Sequence, residues 1–213
     1  MNNKPDKPTR QQRKEARPAE LIASALDLFV ERGYAATRLD EVAAHAGVSK
    51  GTLYLYFASK EELFKAVIRE ALLPYLREGE QMVKEYRGSS SDLLRELFFG
   101  WWESIGSKPV GGITKLMIAE ARNFPEIGRF YVEEVIGPGH AILREVLQRG
   151  IDREEFRHFE VETMIHIIFS PLIMRAVWHH SVDYCCVKSL PPNVYLKEYV
   201  DLLMRGLLNG TQP

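Results

Sequence analysis

The chain has 213 residues and a formal net charge of −1, with 46% of its residues hydrophobic and 27% charged. The apolar share is ample for a packed core and the charged share suits a soluble protein. No uninterrupted apolar run reaches the roughly 18 residues that a membrane span needs, and the near-neutral total does not announce a nucleic-acid binder.

The charge is unevenly placed. Residues 1–17 carry six Lys/Arg against Asp6 and Glu15, leaving the remaining chain net acidic. No apolar segment follows this basic stretch, so it does not read as a secretory signal. We read residues 1–13 as a flexible basic arm. The only cysteines, Cys185 and Cys186, are adjacent. Neighbouring cysteines rarely bridge each other, so a reduced, cytoplasmic setting is expected.

The first helix is placed from Pro18, which suits a first turn, to Gly33, with Leu21, Ile22, Ala25, Leu28 and Phe29 on one face. Thr37 followed by Asp40 signals the N-terminus of a second helix. Leu39, Val42, Ala43 and Ala46 recur at helical spacing, and Gly47 falls where a left-handed residue ends a helix. Ser49 opens a helix predicted to run to Phe57. Ser59 with Glu62 reads as a capping box for a longer helix from Lys60 to about Gly79, kinked at Pro74. Two short helices joined by a tight turn, the second rich in small and hydroxylated side chains, read as a helix-turn-helix. Beyond Gly88 the pattern predicts helices near 91–105, 113–122, 125–149, 159–180 and 193–209, with a kink or break at Gly137-Pro138-Gly139. The expected architecture is all-α, about nine helices in total. A three-helix head and its connecting helix occupy 14–74, and a larger helical bundle occupies 75–213.

Residues 18–68 resemble the DNA-binding head of the tetracycline-repressor (TetR) family of bacterial transcription regulators. Phe29, Gly33, Thr37, Val42, Ala43, Gly47, Val48, Ser49, Thr52, Tyr54, Phe57, Lys60, Leu63 and Phe64 carry the resemblance at fixed spacing. Leu55 and Tyr56 stand where many members carry an aromatic residue and a histidine. In a helix-turn-helix the N-terminal residues of the second helix reach base edges in the major groove. Lys50 can donate to guanine, Gly51 allows close backbone approach, and Thr52 and Tyr54 offer hydroxyl, methyl and ring contacts; these four are expected to read bases. Thr37, Arg38, Ser49, Tyr56 and Lys60 are expected to grip phosphates, Lys60 from the start of its helix. Leu53, Phe57 and Val48 are expected to pack inward.

The resemblance implies a homodimer on double-stranded operator DNA and a small-molecule pocket in the body. The segment 163–178 is apolar nearly all round, and Val200, Leu203, Gly206 and Leu207 add a second apolar face, so these two helices are the expected dimer surface. Candidate walls of an effector pocket are Phe98, Trp101, Trp102, Met117, Phe124, Met164, His166 and Phe169, whose character favours a lipophilic or aromatic effector. No catalytic site, cofactor or metal site is expected. Glu155 and His158 form a single Glu-x-x-His, where a di-iron bundle needs two, and no Gly-rich phosphate loop appears. His179, His180, Asp183, Cys185 and Cys186 are metal-capable but match no zinc spacing. The expected function is a ligand-responsive transcription regulator acting as a repressor. The alternative is a helical enzyme or metal sensor with a degenerate DNA-binding head.

Overall fold

The computed structural model describes residues 10–185 and 191–210, and every regular element among them is helical. The chain folds as two compact units, the first ending at Glu70 and the second beginning at Ala71. The first holds α1 (Arg10–Arg32), α2 (Leu39–His45), α3 (Lys50–Tyr54) and the first part of α4 (Lys60–Glu85). The second holds the rest of α4, α5 (Ser90–Trp101), α6 (Gly112–Glu120), α7 (Pro125–Tyr131), α8 (Gly137–Asp152), α9 (Val161–His179) and α10 (Pro192–Leu207). A π-helical turn, Trp102–Gly106, extends α5, and another, Val132–Ile136, fuses α7 to α8. The ten α-helical segments therefore make nine runs among the described residues, beside a short 3-10 turn at Asp183–Cys185.

Several boundaries differ from the sequence reading. α1 starts at Arg10, inside the expected arm; residues 1–9 of that arm lie outside the described residues. Pro18 is interior to α1, and Pro74 is interior to an α4 that continues to Glu85. The unit boundary falls within α4, four residues before the expected division at 74/75. The Gly137-Pro138-Gly139 segment does not break its helix. Pro138 has no N–H to donate, and the preceding turn widens so that the Gly137 N–H reaches the Val132 carbonyl, five residues back. α3 is only five residues long, its chain continuing to Phe57 through turns closed by Tyr56 N–H and Phe57 N–H donating to the Leu53 carbonyl.

The head is built on the apolar spacing noted above. Leu21, Ala25, Leu28 and Phe29 of α1, Val42 and Ala43 of α2, Leu53 of α3 and Leu63, Phe64, Val67 and Ile68 of α4 are all buried. Phe29, Tyr34 and Phe64 form an aromatic triangle with centroids 5.0–5.6 Å apart, geometry that adds about 0.5–1.5 kcal/mol per pair beyond area burial. Gly33 and Gly47 end α1 and α2 with φ of +87° and +65°, the left-handed conformation that glycine adopts without steric cost.

The body core joins α4, α5, α8, α9 and α10 through Val83, Leu94, Phe98, Leu147, Ile165, Leu172 and Met204 among others. α9 is the one described helix long and apolar enough to cross a membrane by length and composition. It nevertheless packs Ile165, Ile168, Leu172 and Ala176 into this core, and its Arg175 is buried in an ion pair with Asp183.

Candidate nucleic-acid interface and body cavity

The tight turn of the head depends on two residues that the sequence suggests for phosphate contact. Thr37 is 1% exposed; its hydroxyl lies 2.7 Å from the Gly33 carbonyl and 3.1 Å from that of Leu28, tying the α1–α2 turn to the end of α1. It does not cap α2, whose N-cap is Arg38, with the Arg38 N–H donating to Glu41 at 3.3 Å. Lys60 donates to the carbonyls of Tyr34, Ala35 and Thr37 at 2.9, 3.1 and 3.1 Å, and its ammonium lies 4.6 Å from the Tyr34 ring centroid. An ammonium has three N–H donors, and here each has a carbonyl. Both residues hold the loop that presents α2, Thr37 through its buried hydroxyl and Lys60 through its ammonium. A sequence shows the favourable helix start at residue 60 but not that an inward-turned loop has placed three carbonyls there.

The remaining expected contacts do lie on the surface. Ser49 caps α3, its hydroxyl accepting from the Thr52 N–H at 3.1 Å and lying 2.9 Å from the Thr52 hydroxyl, which fixes both side chains at the helix start. Lys50 and Gly51 are exposed, Thr52 and Tyr56 partly so. Tyr54 is 46% exposed, with the Lys50 ammonium 6.0 Å from its ring. Arg38 is exposed and grips both oxygens of Asp40, at 3.2 and 3.0 Å; that bond holds the Asp40 carboxyl below its usual range. Gly51 has an ordinary helical φ, and a methyl group added there would approach only the Ser49 hydroxyl, at 3.8 Å. A glycine inside a helix costs roughly 0.5–1 kcal/mol relative to alanine, and no contact among the described residues requires this one. Leu55, one of the two positions that depart from the family pattern, follows Tyr54 at 83% exposure.

In the body, a cavity of about 630 Å³ lies among α4 to α9. Of the expected wall residues, Phe98, Trp101, Met117, His166 and Phe169 line it. Trp102, Phe124 and Met164 do not. Trp102 turns into the core, its ring 5.8 Å from the Arg175 guanidinium and 5.8 Å from the His179 ring. Phe124 precedes α7 as its N-cap, and Met164 lines a groove on the other side of α9. Gly100 and the outward-facing Ile118 and Val132 line the cavity without having been anticipated.

The groove outside α9 runs along α10, between Met164, Ile167 and Pro171 on one side and Val194, Leu202, Leu203 and Gly206 on the other. Ile167 and Leu202 are 57% and 71% exposed. Val200 and Leu207, expected on this outer face, are buried with Leu196 and Met204, because that register turns inward. Nearby, Asp183 is held by Arg175, which depresses its pKa, and His179 Nδ1 lies 3.4 Å from it. His180 Nε2 lies 3.0 Å from the Gly106 carbonyl. Among the described residues no three metal-capable side chains converge, and Cys186 lies outside them.

Residues 21–67 match the family described as bacterial regulatory proteins, tetR family, and residues 87–184 match the tetracyclin repressor-like C-terminal domain. The uncharacterized HTH-type transcriptional regulator YfiR of Bacillus subtilis is 31% identical over 147 residues, covering 68% of this chain and 70% of YfiR. The chain belongs to the TetR family of bacterial regulatory proteins. As a TetR-family member it is a DNA-binding transcriptional regulator. Solved TetR-family structures share its fold. FadR of Bacillus subtilis in complex with stearoyl-CoA superposes with a TM-score of 0.76 at 20% identity, covering 88% of this chain and 98% of that one. The ketosteroid regulator KstR2 of Mycobacterium tuberculosis gives 0.72 at 24%, covering 91% and 96%.

Proposed function

We propose that the chain is a cytoplasmic, homodimeric repressor whose two heads grip operator DNA and whose body releases them when a small lipophilic or aromatic effector enters the cavity. The observation that carries the DNA reading is Gly51. It costs the helix stability, is required by no contact among the described residues, and lies on an exposed surface between Lys50 and Thr52, as close approach of a nucleic acid requires. Lys50, Gly51, Thr52 and Tyr54 read base edges in the major groove. Arg38, Ser49 and Tyr56 hold phosphates, Arg38 by giving up part of its bond to Asp40. Thr37 and Lys60 position the loop behind them.

A single head reads few base pairs, so a two-fold operator calls for two copies. The exposed groove between α9 and α10, with Ile167, Leu202 and the uncovered Gly206, supports pairing through these helices. For release, the effector binds the DNA-incompetent state more tightly than the competent one. A mobility-shift titration against the DNA upstream of the protein's own gene tests this reading, followed by addition of lipophilic compounds. A sequence-specific shift that such compounds reverse is expected; no specific shift at moderate salt rejects it.

A further inference from the structure

The cavity has a charge pattern that narrows its ligand. Among the described residues lining it there is no lysine or arginine, whereas two carboxylates, Glu78 and Glu96, belong to its wall. They come from adjacent helices. A methyl group built on Gly79 would lie 3.9 Å from the Leu97 side chain, so α4 and α5 approach closely one residue beyond each glutamate. The Tyr86 hydroxyl donates to Glu96 at 3.1 Å and anchors its carboxylate.

The rest of the wall is apolar and rich in rings, among them Tyr75, Trp101 and Phe169, the last two edge-to-face with centroids 5.3 Å apart. Aromatic faces carry partial negative charge and attract cations, more strongly when water is excluded. Both glutamates are exposed residues, so a carboxylate or phosphate brought to them would meet two like charges and no lysine or arginine among the described lining residues. Burial, reinforced by the neighbouring His166, pushes the His140 pKa down and keeps that ring neutral at neutral pH, while nearby Arg144 is paired with Glu162. Gly100 faces the cavity with nothing within 4 Å of where a methyl group would stand, leaving room beside the rings.

We propose that the cavity takes a lipophilic cation, its apolar body among the aromatic side chains and its positive centre at Glu78 and Glu96, and that it discriminates against lipids ending in a carboxylate or a phosphorylated carrier. This rests on the reading of the cavity as the effector site. The test uses the full chain loaded with the neutral fluorescent lipophile N-phenyl-1-naphthylamine, displaced by tetraphenylphosphonium, palmitate or palmitoyl-CoA. Tetraphenylphosphonium is expected to displace the probe at concentrations at least about tenfold lower than either anion. The E78Q/E96Q double variant should erase most of that advantage while still binding the neutral probe. Displacement by palmitate or palmitoyl-CoA at equal or lower concentration overturns the cation assignment and leaves the cavity reading standing. So does a double variant with an unchanged preference. Failure of the neutral probe to bind rejects the cavity reading itself, and the proposal with it.

Discussion

The head and the body place their function in opposite ways. In the head, the candidate surface is made of what protrudes: Lys50, Gly51 and Tyr54 stand on a five-residue helix, with Leu55 directly after it, and all four are exposed. In the body, the candidate site is a void left where helices do not close. Adjacent residues show the difference. Trp101 lines the cavity and Trp102, one position on, is core. A protruding site can be read from local residue types and caps, whereas a void depends on the relative rotation of several helices.

That contrast can be broken most forcefully at the tryptophan pair. Trp102→Ala removes a buried ring packed between Arg175 and His179 and is expected to destabilise the body by about 3–5 kcal/mol. Trp101→Ala should cost much less in thermal melts while weakening lipophile binding. Equal losses of stability would erase the distinction between lining and core.

Lys60→Ala sharpens the contrast within the head. Losing a charged donor from three carbonyls should cost about 2 kcal/mol or more. The salt dependence of operator binding by the protein that remains folded should be unchanged. A salt slope lower by about one unit with normal stability would restore Lys60 to the phosphate-contacting set.

A third variant, Leu202→Lys, places a charge on the exposed face of α10 without touching the inward register of Leu196, Val200 and Met204. It should convert a dimer to a folded monomer in sedimentation equilibrium, with dissociation raised on the order of 30-fold or more, the range of an interface hot spot. An unchanged dimer would move the interface elsewhere.

The smallest effect concerns pH. Burial lowers the pKa of His180 and of His140, so the folded state resists their protonation. Their contribution is complete above the unfolded histidine value of about 6.5 and declines as pH falls through the folded values. Asp183, held down by Arg175, contributes above about pH 4 and loses that contribution only as pH falls through its depressed value. Between pH 7.5 and 5.5 the melting temperature should therefore fall. His180→Gln, which keeps a donor but does not titrate, should flatten that slope. A rise in stability on acidification would contradict the assignment.

Much of this was legible in the sequence because helix spacing, caps and glycine stops are local. The helices expected near 125–149 and 159–180 appear at 125–152 and 161–179, and Gly47 takes the left-handed turn its position suggested. What the sequence could not show were relations across the chain. Lys60 looks like an exposed helix-start cation until the loop 34–37 brings its carbonyls to it, 23 to 26 residues away. Thr37 looks like a cap until its hydroxyl turns back to α1. Met164 and Met117 are alike in type, yet they face different sides of the body.

The central claim is that the surface of α3 is shaped for a partner outside the chain, and Gly51→Ala tests it most directly. Because the added methyl group meets only the Ser49 hydroxyl, at an ordinary contact distance of 3.8 Å, and the backbone is already helical, the head should become more stable by about 0.5–1 kcal/mol. Operator affinity, measured by titration at fixed salt, should fall at least about tenfold, since that methyl occupies the volume the DNA approaches. Increased stability together with lost binding is the predicted result. Undiminished operator binding by a folded Gly51→Ala protein would contradict the account.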